Sequence, residues 1–246
     1  MLRILKFLCK ALTAFSLAGF VALLFIRPPL PAKNKLELSK MYHEPTQQEM
    51  SPTTEVKEIK GYKYQIEKVA KYKITGLVVE QYSSDHWLDL THKNDPANTR
   101  DLCIIWGSNL DPNIYNSVKF DHGEFTCYVS WSNQDSLFNM NALSNNHLIP
   151  ESISVADKIK GVRVGDQITI TGYLSNYKVW DKDGKQAGER RTSTVREDTG
   201  NGACEVLYTT DIEVVKSSAY WYFLLKDLSP FVFLISAFLN LVLIAF

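Results

Sequence analysis

Both ends of this chain are apolar, and they enclose a polar middle. Residues 11–26 and 228–246 contain no charged residue, and both stretches are rich in Leu, Phe, Val and Ile. A helix needs about 20 apolar residues to cross a hydrocarbon core of about 30 Å. The two ends therefore predict transmembrane helices over residues 4–26 and 222–246, with a soluble domain between them.

The first span has a second interpretation as a cleaved signal peptide. Arg3 and Lys6 form a basic region ahead of the apolar run, as signal peptides do. Against cleavage, Arg27, Pro28 and Pro29 follow the run directly, and no A-x-A-like site stands at the right place. We favour an uncleaved membrane anchor, with the signal peptide as the alternative.

Basic residues flank the first span almost equally, so they do not by themselves fix which side the middle faces. The positive-inside rule is also weak for loops longer than about 60 residues. The length of the middle and the basic start of the chain favour translocation, which gives a hairpin with both termini in the cytoplasm. We expect an inner-membrane protein with two spans and a periplasmic middle domain.

Residues suited to helix packing occur in both predicted spans. Ala14, Ala18 and Ala22 repeat at steps of four, so they share one face of the first helix. Small residues let helix backbones approach closely in a membrane. Asn240 is a lone amide in the second span, where an unpaired polar group is costly. We expect the spans to pack against each other, a second copy or a partner protein, although these residue types are also ordinary in such helices.

The charge of the middle argues against nucleic acid as a partner. Removing Arg3, Lys6, Lys10 and Arg27 from the 27 basic residues leaves 23 against 27 acidic residues, a balance of about −4. Nucleic-acid binding depends on clustered basic residues that neutralise phosphates. The run 189–191 is the only short cluster of basic residues that suggests such binding. No motif in the sequence indicates a cofactor.

The middle divides into a linker and a β-rich domain. Residues 27–60 hold many prolines and little apolar periodicity, which predicts a partly disordered linker. Residues 61–217 contain several short alternating or apolar runs typical of strands, with one short helix predicted over 154–160. Residues 181–184, Asp-Lys-Asp-Gly, predict a hairpin turn. The polar stretch 143–148 is interpreted as a loop that lines a site.

Three strand-like segments resemble parts of OB-fold domains. Val164-Gly165-Asp166-Gln167-Ile168-Thr169-Ile170-Thr171-Gly172 is similar to an OB strand that follows a Gly-Asp turn. The runs within 74–79 and 206–215 resemble the first and last strands. The resemblance implies a mainly β fold, a small OB-like β-barrel, which binds oligonucleotides, oligosaccharides or proteins on one sheet face. The long insertion between Ser83 and Pro150 departs from a minimal OB domain.

One loop contains residue types that bind metals. Asp85, His86 and His92 lie within eight residues, and carboxylate and imidazole groups are common ligands of zinc. A metal site needs three or four converging ligands, and the spacing here has no established register on a helix or strand. The alternative is a polar loop that happens to contain histidines. Trp87, in the same loop, is a candidate for stacking on a ligand.

A second polar stretch, residues 191–205, combines hydroxyls, glycines and charges. Its candidate ligand-binding residues are Arg191, Arg196, Asp198 and Asn201, because a Gly-Asn-Gly backbone suits an anion. Cys204 is a candidate nucleophile if a base lies nearby. The structural alternative is an Asn-Gly hairpin with paired charges, in which Cys204 is a small buried hydrophobic residue.

The state of the cysteines depends on whether the middle domain lies in the periplasm or in the cytosol. Cys9 lies in the first span, which leaves Cys103, Cys127 and Cys204 in the domain. In an oxidising periplasm, Cys103 and Cys127 are the favoured disulfide because both lie in strand-like segments, and one thiol is then left over. In the cytosol, all three are expected to be reduced.

Two classes of function remain from the sequence. The first is a non-enzymatic membrane-anchored binding or assembly module with an extracytoplasmic β domain. The second is an envelope hydrolase or metal-dependent enzyme that uses the Asp85–His92 loop or Cys204.

Overall fold

The computed structural model describes residues 2–84, 89–90, 92–131, 137–195 and 204–244. The chain forms two compact units. One unit comprises Met1–Leu30 together with Ala219–Phe246, and the other comprises Pro31–Ser218.

The structure contains α-helices, β-strands and short 3-10 turns in the following order within each class. The helices are α1 (Leu2–Phe25), α2 (Leu38–Met41), α3 (Pro112–Tyr115), α4 (Ile153–Gly161) and α5 (Tyr220–Ile244). The strands are β1 (Thr46–Ile59), β2 (Tyr62–Ser83), β3 (Arg100–Ile105), β4 (Val118–His122), β5 (Cys127–Trp131), β6 (Leu143–Pro150), β7 (Gln167–Trp180), β8 (Gln186–Arg190) and β9 (Glu205–Lys216). The 3-10 turns are Lys33–Lys35, His92–Asn94, Gly107–Leu110 and Met140–Ala142.

The first unit is a pair of long apolar helices, α1 and α5. Each is long and apolar enough to cross a membrane, and almost none of their residues are buried. Asn240 Nδ2 donates to Thr13 Oγ1 at 2.7 Å, and Thr13 Oγ1 donates to the carbonyl of Cys9 at 2.8 Å. The amide predicted to need a helix partner therefore has one in this chain.

A different face of α1 from the predicted one is shielded in this unit. Cys9 is buried and Thr13 is half-buried, whereas Ala14, Ala18 and Ala22 are exposed. Ala14 follows Thr13 directly, so its side chain points in a different direction around the helix, and Ala18 and Ala22 lie on the same face as Ala14. When Thr13 contacts Asn240, the alanine face therefore does not point toward Asn240. The alanine face is thus exposed in this unit, and its packing against another protein's helices, the other expected arrangement, stays a prediction.

The second unit is built on a sheet whose order is β1-β2-β3-β6-β9-β7-β8, with an additional pairing of β2 with β7. That pairing closes β2, β3, β6, β9 and β7 into a ring. Neighbours in the ring are antiparallel except β6 and β9, which are parallel. Parallel neighbours need a long connection, and here it contains α4, β7 and β8.

Alternation along the ring strands separates an apolar core from a polar face. Leu102 and Ile104 of β3 join the largest buried cluster, together with residues such as Ile168. Asp101 and Cys103 alternate with them and therefore point to the opposite face of the sheet. The candidate site lies on that opposite face.

Two glycines permit close approach of ring strands. A Cβ at Gly172 of β7 would collide with the backbone of Tyr208 on β9, and one at Gly76 of β2 would collide with Ile104 and Ile105 of β3. A side chain at either position would push the neighbouring strands apart.

The segment predicted as a linker carries regular structure. Residues 27–60 contain α2 and the whole of β1, which pairs antiparallel with β2 from Thr46↔Lys73 to Ile59↔Tyr62. β1 is an edge strand with mostly exposed side chains, so its sequence lacks the apolar alternation of a half-buried strand. Backbone pairing, which composition does not reveal, holds it in place.

The stretch 143–148, interpreted from sequence as a loop, lies within the buried strand β6. This strand was not predicted from the sequence, because a strand in the middle of a sheet usually has an apolar run and this one has polar side chains. The disulfide between Cys103 and Cys127 joins β3 to β5, so the hairpin of β4 and β5 is tied over the polar face. The sequence analysis favoured the same pair.

Candidate functional site

Strand register brings the polar side chains of the site together. Asp101 of β3 stands opposite His147 of β6, and Cys103 stands opposite Asn145. β9 runs beside β6, with Glu205 opposite Asn146, so Cys204 lies just before β9 and next to Asn145. Because alternate residues share a face, these side chains converge from three strands that are distant in sequence.

His147 and Asp101 form a buried charged pair. Nδ1 of His147 lies 2.7 Å from Oδ2 of Asp101, and both side chains are at most 2 % exposed. Burial lowers the pKa of His147, but the charge of Asp101 and hydrogen bonds to Asp101 and Cys204 raise it to about 9. The Asp101 carboxylate thus stabilises the imidazolium form of His147. It also orients the ring, with Nδ1 toward Asp101 and Nε2 away from it.

Cys204 is a half-buried free thiol beside this pair. Burial raises its pKa, but hydrogen bonds from His147 and Asn145 and the charge of His147 bring the pKa below its ordinary value. Asn145 Nδ2 lies 3.4 Å from Sγ, and Sγ lies 3.5 Å from the carbonyl of Phe125. A lowered pKa makes more of the nucleophilic thiolate available at neutral pH.

The contacts of the site are compatible with two protonation states. In the neutral state, the thiol donates to the Phe125 carbonyl, and Arg190 Nη1 donates to His147 Nε2 at 3.3 Å. In the charged state, Asn145 donates to the thiolate, and Asp101 balances the imidazolium. The opposite pKa shifts of Cys204 and His147 favour the thiolate–imidazolium pair.

These groups open onto a cavity of about 780 Å³. The loop before β5 and the start of β5 form one wall, and the β8 end and the β9 start form the other. The residues that line it are Glu124, Phe125, Thr126, Cys127, Tyr128, His147, Arg190, Arg191, Cys204 and Val206. A thiol, an imidazole and two guanidinium groups therefore face the same space.

The disulfide sets the position of the loop above the thiol. Cys127 follows Phe125 and Thr126, whose backbone and side chain both contact Cys204. Asn145 Nδ2 also donates to the Phe125 carbonyl, at 3.1 Å. Joining Cys127 to Cys103 therefore fixes the wall that the Cys204 thiol touches.

The predicted metal residues are only partly described. Asp85, His86 and Trp87 lie outside the described residues. His92 Nδ1 is 2.8 Å from Oδ2 of Asp89, and both side chains are nearly buried. Among the residues that the structure describes, no three His, Cys, Asp or Glu side chains converge as a metal site.

The predicted 191–205 site is likewise partly described. Arg191 and Cys204 line the same cavity. Arg196, Asp198 and Asn201 lie outside the described ranges.

Sequence reasoning placed His147 in a stretch expected to line a site without singling it out, and it missed Asp101 and Arg190 as members of the site. His147 stands 57 positions before Cys204 by residue number, and only the β6–β9 pairing brings them together. The available signal was alternation: Asn145 and His147, like Asp101 and Cys103, are separated by two positions within strands.

Comparison of the chain with protein-family models, with curated proteins and with solved structures gave no match.

Proposed function

We propose that this chain is a membrane-anchored thiol enzyme that transfers or hydrolyses acyl groups through Cys204. The observation that carries the proposal is the arrangement of Cys204, His147 and Asp101: the thiol and the histidine line one cavity, and Nδ1 of the histidine lies 2.7 Å from a buried carboxylate. Nucleophile, base and orienting acid in this order are the working parts of nucleophilic acyl transfer.

The chemical step follows from those parts. The Cys204 thiolate attacks the acyl carbon of an ester or amide, and a C–S bond forms. The bond to the leaving group then breaks as the His147 imidazolium gives its proton to that group. Water or an acceptor amine next attacks the thioester, His147 takes its proton, and the thiolate leaves.

The geometry favours this enzyme over a purely binding module. A cysteine kept for packing gains from burial in an apolar setting, where its thiol is inert. Cys204 instead faces a cavity, accepts a hydrogen bond from Asn145 and adjoins a histidine paired with a buried acid. Burying Asp101 costs free energy that packing alone does not offset.

The fold is proposed to be of the OB type. Support comes from the closed ring β2-β3-β6-β9-β7, from its single parallel pair, and from α4 between its third strand β6 and the next ring strand β7. The β4–β5 hairpin is an addition between the second and third ring strands, and the long insertion predicted from sequence otherwise contributes β3 and β6 to the ring.

We place the enzyme in the bacterial inner membrane with its β domain in the periplasm. Two helices that are long and apolar enough to span support a membrane anchor. The Cys103–Cys127 pairing supports an oxidising compartment. Reporter fusions after Asp181, in the turn between β7 and β8, test this: alkaline phosphatase should be active there and a cytoplasmic reporter inactive.

A ligand-binding or assembly module remains the second candidate. The OB-type strand order favours it, because such domains bind ligands on one sheet face without chemistry. In that case, Cys204 would be dispensable, and a Cys204→Ser variant would support the same cellular function as the natural chain.

Acylation of the full-length protein tests the enzyme directly. The protein in detergent is mixed with p-nitrophenyl acetate, and acetylated Cys204 is quantified by peptide mass spectrometry. We expect acetylation faster than that of free cysteine, lost in Cys204→Ser and reduced about a hundredfold in His147→Gln. His43→Gln, which removes an exposed histidine, is the matched control. Acetylation of Cys204 no faster than free cysteine would rule the proposal out.

A further inference from the structure

Arg190 is held rigidly beside the base. Its Nη1 lies 3.3 Å from His147 Nε2, and its guanidinium carbon lies 4.6 Å from the centre of the Phe125 ring. Its Nε lies 3.9 Å from Oδ2 of Asp95. The side chain is 23 % exposed, so its charge is fixed at the cavity wall while one side still meets solvent.

Asp95 is itself positioned by two buried tyrosines. The hydroxyl of Tyr64 donates to Oδ1 at 2.9 Å, and the hydroxyl of Tyr177 donates to Oδ2. Through Asp95 these tyrosines hold Arg190 in place. A fixed guanidinium loses less conformational entropy when it binds a ligand than a free one does.

The charge of the cavity wall is opposite to that of the domain. Arg190 and Arg191 are cationic, Asp95 lies beside Arg190, and Glu124 is the sole carboxylate among the described residues that line the cavity. The chain between the apolar ends carries a net negative charge. A positive wall in an acidic domain is a local feature that attracts anions.

A neighbouring cavity of about 360 Å³ shares Arg190 and Arg191 but adds Glu67 and Glu189. Those carboxylates repel an anion placed further from the thiol. The favourable position for a negative group is therefore the arginine wall on the Cys204 side.

We infer that the Cys204 site accepts acyl substrates that carry a carboxylate, bound by Arg190 and Arg191, with the reacting carbonyl at the thiol. Guanidinium groups match carboxylates geometrically and bind them by paired hydrogen bonds. The inference rests on the proposed function, since it names the substrate class of that same thiol.

Two alkylating reagents test the inference without knowledge of the natural substrate. Iodoacetate and iodoacetamide react alike: the thiolate attacks the CH₂ carbon, a C–S bond forms, and iodide leaves with the bonding electrons. They differ in that iodoacetate carries a carboxylate. Rates at Cys204 are measured on the full chain in detergent by peptide mass spectrometry, with N-acetylcysteine as the reference thiol.

We expect the iodoacetate-to-iodoacetamide rate ratio at Cys204 to exceed that of N-acetylcysteine about threefold to tenfold. The excess should shrink in Arg191→Gln, in Arg190→Lys and in high salt, which screens charge. Lys182→Gln removes an exposed cation from the β7–β8 turn and should leave the ratio as it is.

The outcomes separate this inference from the proposed function. A reactive Cys204 with the ratio of the reference thiol overturns the carboxylate preference and leaves the thiol enzyme standing. A raised ratio that persists in Arg191→Gln and Arg190→Lys also overturns it. A Cys204 that reacts more slowly than N-acetylcysteine with both reagents overturns the thiol enzyme and the inference together.

Discussion

Asp101 and His147 face each other across the antiparallel strands β3 and β6, with Oδ2 2.7 Å from Nδ1 and both side chains buried. Neither residue is near the other in sequence, and neither is near Cys204. Cross-strand pairing alone brings the carboxylate to the imidazole, and the next strand brings the thiol.

The reactivity of Cys204 should reach its maximum at a lower pH than that of an ordinary cysteine. Its pKa is lowered, so the thiolate persists below the ordinary value of about 8.5. In His147→Gln a lowering influence is lost while the burial that raises the pKa remains, and the midpoint should move upward. The rates of reaction with iodoacetamide, measured from pH 5 to pH 10, check this, with Cys204→Ser as the background. Equal midpoints in the natural protein and in His147→Gln would contradict it.

Asp101→Asn should lower the pKa of His147 steeply. The charge of Asp101 is the strongest influence that raises this pKa to about 9, and burial pulls it down once that charge is gone. We expect a value at or below the ordinary 6.5 or so of histidine. Titration of the His147 ring by NMR measures it, and Asp111→Asn, at the exposed start of α3, is the control. A His147 pKa that stays near 9 would show that Asp101 is not its partner.

The natural protein should contain two free thiols and one disulfide. Cys9 and Cys204 are free, and Cys103 is joined to Cys127 across 24 positions. Denaturation without reductant should expose two thiols to alkylation, and reduction should raise the number to four. Finding four alkylated thiols before reduction would refute the pairing.

Removing this disulfide should also destabilise the domain. A disulfide that closes a loop of this length lowers the conformational entropy of the unfolded chain and so raises its free energy by about 3 kcal/mol. The Cys103→Ala/Cys127→Ala variant lacks this effect, so it should unfold at a lower denaturant concentration. The same variant releases the loop that holds Phe125 against Cys204. The rate at which Cys204 reacts with iodoacetamide should therefore differ from that in the natural protein. Cys9→Ala, which removes a cysteine outside the β domain, is the matched control for the unfolding measurement.

Thr13 and Asn240 should stabilise the α1–α5 pair as a unit. Asn240→Leu and Thr13→Val each remove the 2.7 Å hydrogen bond, so the double variant should cost little more than either single variant. The coupling free energy expected of such a membrane hydrogen bond is about 0.6 kcal/mol, and at most about 2 kcal/mol. Unfolding in SDS measures the cycle, and strictly additive effects would contradict a direct contact.

Much of the fold could be predicted from local patterns. The two apolar helices, the Gly-Asp turn before β7, the short helix α4 and the ring strands other than β6 follow from hydropathy runs, alternation and turn residues. β1 could not be predicted in this way, because an exposed edge strand has no apolar face and is held by backbone hydrogen bonds to β2. β6 was missed because its polar side chains serve the site rather than the core.

The candidate site was predictable only in part. Cys204 and Arg191 were chosen from a polar stretch of sequence, and they do line one cavity. Their partners His147 and Arg190 were not chosen, because a histidine on a strand has no local sign of what lies across from it. The predicted metal residue His92 pairs with Asp89, three positions before it, and its predicted partners Asp85 and His86 lie outside the described residues.

Local patterns along the chain already indicate where apolar surface must be hidden: two helices with the composition of membrane spans, and strands whose alternating residues fill a core. These are local properties, since hydropathy and backbone preference act over a few residues. The meeting of Asp101, His147 and Cys204 depends on the folded domain, because the registers β3–β6 and β6–β9 are set by packing of the whole ring. A one-residue shift in either register would turn the site's side chains into the core and leave the same sequence with no site.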